Sequence, residues 1–208
     1  MPVSDEKISD FLDRLADRVP VPGGGAAAAL HAAQGAALLG MVARYTTGPT
    51  YAEHQLMISR IITEVDELRG IALRLAEADA DAFAAVADAC HLPEATDEEK
   101  AVRSPVIDQA LVNAAWPQAR IISVAGMVVD LAEALAAIGN RNLISDVAAA
   151  AEAARASAAT ARVNVEISLA AITDEQASLD MIAETDKTDD IIARAEQVTA
   201  TIREQIRG

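Results

Sequence analysis

An all-α domain, a single bundle of long and partly kinked helices around an alanine-rich core, is expected for this chain on three grounds. Apolar positions recur at helical spacing along nearly every segment, and nowhere does a period-two pattern persist. Hydrophobic residues make up 52% of the 208 but aromatics only 2%, so Ala, Leu, Val and Ile must fill the interior, and small side chains let helices approach closely. Pro/Gly clusters and capping signatures cut the chain into helix-length pieces. The length suits one domain, taken as 1–208, and no internal repeat is visible.

In chain order, Ser4 is placed to cap a first helix, with Asp5 and Glu6 in its opening turn and Ile8, Phe11, Leu12 and Leu15 as its apolar stripe. The helix runs into Val19-Pro20-Val21-Pro22-Gly23-Gly24-Gly25-Ala26, where two prolines stiffen the approach and three glycines remove every Cβ. A glycine run opening a helix leaves orphan amides and the positive dipole end aimed at one spot, which suits an anion. It equally suits a tight loop between closely packed helices. No strand precedes it and the G-x-G-x-x-G spacing is absent, so it is not a dinucleotide fingerprint.

The second helix, about 26–45, is nearly uncharged until Arg44 and is expected to be buried all round. Gly48-Pro49 ends it, and Thr50 with Glu53 has the spacing of a capping box. The third helix, 51–91, would be roughly 60 Å long at 1.5 Å per residue. Its stripe is Ile61, Val65, Leu68, Ala72, Leu75, Ala82, Phe83, Val86 and Cys90, and His91-Leu92-Pro93 stops it. Thr96 with Glu99 is a second capping box; Ser104-Pro105 is placed to restart a helix, and Trp116-Pro117 to kink one. Gly139-Asn140-Arg141-Asn142 is a turn, a helix covers about 143–171, Thr173 with Gln176 marks another cap, and 174–207 is helical with charged faces.

A net charge of −15 argues against nucleic acid as a partner. Cys90 is alone, so neither a disulfide framework nor a thiolate metal site is expected, and three scattered histidines suggest no metal site. The N-terminus lacks a basic-apolar signal and no apolar run is taken to reach spanning length, so a cytoplasmic protein without a membrane partner is expected.

Two polar anomalies stand out against this apolar ground. At 100° per residue Asp79 falls between Leu75 and Phe83 on the third helix's apolar stripe, whereas Glu77, Asp81 and Asp88 fall on the opposite side. A carboxylate on a core face has a partner, is neutralised by a raised pKa, or costs several kcal/mol. It is therefore either an internal ion pair or interhelix hydrogen bond, or a catalytic group facing a cationic or proton-exchanging ligand. His54 shares the stripe but lies roughly 37 Å away along a straight helix. The second anomaly is the face Asp146, Ala150, Ala153, Ser157, Thr160, Ala161, Asn164 and Ser168, small and polar, opposite Arg155, Arg162 and Glu166. Such a face walls a polar ligand or a close helix contact; Ser145 and Asp146 also suit a helix N-terminus.

At these residues the chain resembles the cyclodeaminase/cyclohydrolase family: the C-terminal half of formiminotransferase-cyclodeaminase and free-standing bacterial methenyltetrahydrofolate cyclohydrolases. The resemblance spans nearly the whole chain. Its landmarks are Phe11-Leu12 before Pro22-Gly23-Gly24-Gly25, then Gly35-Ala36-Ala37-Leu38 with Met41-Val42, then Asp79-Ala80-Asp81-Ala82-Phe83. Leu92-Pro93, Asp97-Glu98-Glu99-Lys100, Gly139-Asn140, Asn142, Ser145-Asp146 and Asn164-Val165 follow. It implies an all-helical homodimer acting on a tetrahydrofolate derivative, with no metal and no tightly bound cofactor. It places the substrate on Pro22, Gly23, Gly24, Gly25, Asn140, Asn142, Ser145, Asp146 and Asn164, with Asp79 catalytic. Cyclodeamination, from 5-formiminotetrahydrofolate to 5,10-methenyltetrahydrofolate and ammonia, stands slightly ahead of hydrolysis of the methenyl compound to 10-formyltetrahydrofolate. A non-catalytic folate-binding or interaction dimer is the rival reading.

Overall fold

The computed structural model of the protein describes residues 3–207, so residues 1, 2 and 208 of the expected domain lie outside the described ones. Among the described residues seven α-helices follow in order: α1 Ile8–Ala16, α2 Gly24–Tyr45, α3 Gln55–Cys90, α4 Asp97–Ile138, α5 Ile144–Leu169, α6 Glu175–Thr185 and α7 Thr188–Arg207. Short 3-10 turns occupy Val3–Asp5, Pro49–His54 and Arg141–Leu143, and no strand occurs among the described residues. The all-α expectation holds.

The hub is α2. Ala26, Ala28, Ala29, Ala32, Ala33, Ala36, Leu39, Val42 and Ala43 are all buried, whereas Gln34, Ala37 and Tyr45 are exposed, so the helix is buried over most of its surface and not all round as expected. It packs on α3, α4 and α5 at once. Such a three-sided fit requires small residues: a Cβ added at Gly35 would lie 3.0 Å from the Ala150 carbonyl oxygen and 3.1 Å from Val128 Cγ1. Around this hub lie Ile58 to Ala76 of α3, Ala115 to Ala136 of α4 and Val147 to Val165 of α5, with Ile191, Ala195, Val198 and Ile202 of α7 outside them. By length and composition α2 and α4 are each apolar enough to cross a bilayer, which corrects the expectation that no run is long enough; 61% and 56% of the two apolar windows are buried inside the fold.

Several local expectations give way to tertiary packing. Ser4 lies in the first 3-10 turn, α1 starts after Lys7 without a side-chain cap, and only Phe11 of its stripe is fully buried. Thr50 and Glu53 form no box, because Pro49 opens a 3-10 turn where an α-helical start was expected. The Thr96–Glu99 box is present with both hydrogen bonds. No new helix begins at Ser104-Pro105: α4 runs continuously through Pro105 and Pro117. Asp174, not Thr173, caps α6 by accepting from the Ala177 N–H at 2.9 Å.

The α3 stripe fades halfway. Ile61, Val65, Leu68 and Ala72 are buried, but Phe83 is 50% exposed and Cys90 is exposed. Between residues 77 and 114 only Ala89 and Ala110 are fully buried. The end of α3 and the start of α4 thus form a two-helix arm, fastened near its tip by Arg103, which donates to the Cys90 carbonyl and pairs with Glu94, both at 2.9 Å. Asp79 stands where this arm leaves the core.

Candidate functional site

The peptide between Val21 and Pro22 is cis, Pro22 is buried, and Gly23 is the extended residue that precedes α2. The first intrahelical bond runs from the Ala27 N–H to the Gly23 carbonyl at 3.1 Å. The amides of Gly24, Gly25 and Ala26 therefore emerge from the helix start without an intrahelical acceptor, at the positive end of a 22-residue helix.

Three other helices bring side chains to that point. Asp79 of α3 accepts a hydrogen bond from Gln118 Nε2 of α4 and is also held by the Ala26 N–H. A Cβ on Gly25 would collide with the Gln118 amide nitrogen and the Asp79 carboxyl, so the glycine is what admits the pair. On the open side a Cβ on Gly24 would lie 3.7 Å from Asn164 Nδ2 and 4.0 Å from Thr160 Cγ2 of α5. Asn164 Nδ2 donates to the Thr160 carbonyl at 3.0 Å and Ser168 Oγ to the Asn164 carbonyl at 3.1 Å, which fixes this last stretch of α5. Gly25 and Gln118 are buried, Asp79, Thr160 and Asn164 half-buried, and Gly24 exposed.

Burial pushes the Asp79 carboxyl above its ordinary value; the Gln118 and Ala26 hydrogen bonds pull the other way and only partly offset it. No charged partner contributes. Of the alternatives left open by the sequence, the ion pair is absent: Asp79 meets an amide and a helix start. The same contacts cap α2 from a neighbouring helix, so the carboxyl has a structural task beside any chemical one. Chemically, the arrangement offers a carboxyl that burial makes a better proton acceptor than an exposed one and, beside it, backbone donors able to meet a developing negative oxygen.

The expected site divides in two. Pro22, Gly23, Gly24, Gly25, Asp79 and Asn164 come together. Asn140, Asn142, Ser145 and Asp146 do not join them within one chain. The Asn140 N–H donates to Thr46 Oγ1 at 3.1 Å, its Nδ2 donates to the Tyr45 carbonyl at 3.0 Å, and its Oδ1 accepts from the Asn142 N–H at 3.0 Å. These contacts are at the far end of α2, roughly 30 Å from its start at 1.5 Å per residue. The reason is direction: α5 begins beside the end of α2 and runs back along it, so that Ala150 meets Gly35 and only Thr160 and Asn164 reach Gly24. Ser145 is exposed and Asp146 half-buried at that remote end.

Gln118 was missed by the sequence reading. The signal existed: an amide inside Ala114-Ala115-Trp116-Pro117-Gln118-Ala119, followed by Ile121-Ile122, is a polar group on a buried face by the same reasoning that singled out Asp79. Among the described residues no three His, Cys, Asp or Glu side chains gather as a metal site would need.

A sequence model of the formiminotransferase-cyclodeaminase family matches residues 7–187. The chain belongs to that family. The methenyltetrahydrofolate cyclohydrolase of Methylorubrum extorquens is 35% identical over 205 residues, covering 98% of this chain and 97% of the relative. The mouse formimidoyltransferase-cyclodeaminase is 32% identical over 172 residues, which span 82% of this chain but 32% of that longer protein. The crystal structure of a formiminotetrahydrofolate cyclodeaminase from Thermotoga maritima superposes with a TM-score of 0.87 at 30% identity, over 99% of this chain and all of the other. The formiminotransferase-cyclodeaminase family is thus one of enzymes, with members named for two related reactions at tetrahydrofolate.

Proposed function

We propose that the chain hydrolyses 5,10-methenyltetrahydrofolate to 10-formyltetrahydrofolate, with Asp79 as the group that takes and returns the proton. The observation that carries this reading is the half-buried carboxyl of Asp79, without a cationic partner, at the open start of α2. The methenyl carbon is an amidinium cation. Its hydrolysis asks for a carboxylate near the positive charge and an acceptor for one proton of the attacking water. In the adduct the C–N5 bond then breaks with its electron pair staying on N5, and N5 receives the proton held by Asp79. The hydroxyl proton leaves to solvent as the formyl C=O forms, so one proton is released overall. The Gly24 and Gly25 amides are donors for the oxygen of the adduct, and Asn164 is a hydrogen-bonding neighbour for the ring system. No oxidation state changes, so the reaction asks for no redox cofactor.

Cyclodeamination is the second reading, supported by the likeness to the T. maritima enzyme. It asks the same carboxyl to take a proton from N10 and deliver it to departing ammonia. The sequence reading ranked it first. A relative 35% identical over 98% of this chain and named as a cyclohydrolase now favours hydrolysis. The purified protein is expected to accelerate loss of methenyl absorbance above the buffer rate without releasing ammonia. Ammonia from 5-formiminotetrahydrofolate would select the second reading, and silence with both substrates would remove both.

A homodimer belongs to the same proposal. Phe83, Val102 and Val106 expose 50%, 67% and 43% of their surface on the α3–α4 arm, an apolar surface suited to a second copy.

A further inference from the structure

Beside the proposed catalytic carboxyl lies a residue whose hydrogen bonding is incomplete. Gln118 is 2% exposed; its Nε2 donates to Asp79, and its Oε1 is buried without a partner. Buried side-chain amides are nearly always satisfied, so an orphaned oxygen calls for an explanation. Its surroundings on α4 offer no donor, for Ala115, Ala119, Ile121 and Ile122 are all fully buried apolar residues. Asp79 is its hydrogen-bond partner.

No other ionisable group competes for the pair. On α3, Glu77 and Asp81 flank Asp79 but contribute nothing to its titration. Arg120 of α4 acts on Glu184, and Arg162 of α5 pairs with Asp189 and Glu166. The opening turns of α2 carry no titratable side chain before His31.

A carboxylate needs a donor, whereas a carboxylic acid has a proton to give; a primary amide supplies either from one planar group. We infer that Gln118 is a positioning residue that holds Asp79 in both protonation states, donating from Nε2 to the carboxylate and, turned over about its last torsion, accepting the carboxyl proton at Oε1. The orphaned oxygen is then the half of the amide that waits for the protonated state. The proton balance closes: the first proton of the attacking water goes to Asp79, is shared with Oε1 and passes to N5, while the hydroxyl proton of the adduct leaves to solvent. Gln118 acts through Asp79 and does not touch substrate. This assignment rests on the proton-exchanging reading of Asp79.

The test follows the Asp79 carboxyl by carbon-13 NMR in the full chain, with its signal identified by loss in Asp79→Asn, together with the pH profile of turnover. Gln118→Met removes both bonds, and because the charge-assisted bond to the carboxylate is the stronger of the two, Asp79 should titrate at higher pH than in the wild type. The acid limb of kcat/KM should move with it, and kcat should fall about tenfold or more while KM changes less than about twofold. Gln118→Glu keeps the shape and sets a second carboxyl against the first, so the pair should titrate in two separated steps; it serves equally where the methionine variant does not fold. An Asp79 titration unmoved in the folded variants would overturn the inference. A titration that moves, in a protein without turnover on either folate, would support the pairing and overturn the function assigned to it.

Discussion

Asparagine at position 79 separates what the carboxyl costs the fold from what it does in the reaction. Because burial holds the folded carboxyl above its ordinary value, the stability it contributes is present below the unfolded value and is lost as pH rises through the folded one. Asp79→Asn removes that loss while its amide can still meet Gln118 and Ala26. We expect its melting temperature to exceed the wild type's at pH 8 and the gap to close towards pH 4, measured by thermal denaturation across that range. Turnover should drop by about 100-fold or more, the scale of a lost general acid–base group. A variant that is less stable at pH 8, with turnover intact, would reduce Asp79 to a cap for α2. The glycines next to it divide likewise. Gly25→Ala drives a Cβ into both members of the Asp79–Gln118 pair, so it should lose turnover and about 1–3 kcal/mol of stability. Gly24→Ala, with only ordinary contacts at 3.7 and 4.0 Å, should keep the fold and raise KM if substrate lies against that face. Asp79 was legible in the sequence because a charge in an apolar stripe contradicts its surroundings. The partner identity was not, because nothing in the spacing of α3 says which helix crosses it.

At the scale of single helices, two capping boxes with the same sequence logic had opposite fates. Thr96 and Glu99 satisfy each other's backbone amides at 3.1 and 2.9 Å, whereas Thr50 and Glu53 sit exposed in a 3-10 turn with no side-chain cap. Thr96→Ala should therefore cost about 1 kcal/mol, the usual worth of an N-cap, and Thr50→Ala only a few tenths at most, both readable by urea denaturation. Equal losses would contradict the capping geometry. The contrast shows where local signals stop. A capping box can act only where the backbone enters an α-helix, and Pro49 fixes a tighter entry. Pro105 and Pro117 show the converse. Each removes a ladder bond, yet α4 continues through both, with Pro117 buried in its core half. Helix type and approximate span were readable from periodicity; which signals end a helix was settled by packing that periodicity does not see.

Across the whole molecule, the antiparallel run of α5 along α2 makes one chain present two separate ends. One carries the Asp79 constellation, and the other carries Asn140, Asn142, Ser145 and Asp146, about 30 Å off along α2. Linear spacing hides this separation, because residues 139–146 and 164 belong to one stretch of sequence while Asp146 and Asn164 stand near opposite ends of the 26-residue α5. The same geometry leaves the arm of residues 77–114 with few buried positions while residues 115–136 of α4 lie largely buried in the core. One continuous helix therefore joins two regions of different local stability, and an isolated chain should show it. Amides in 115–136 should exchange with solvent only through global unfolding, and those of the arm through local opening. Should the arm be the face on which a second copy docks, its protection must depend on protein concentration, because association stabilises by mass action. Hydrogen exchange followed at two concentrations a hundredfold apart is expected to show slower exchange in the arm at the higher one, with 115–136 unchanged. Arm exchange that is identical at both concentrations, with monomer mass in sedimentation at each, would leave Phe83, Val102 and Val106 uncovered and would count against the dimer.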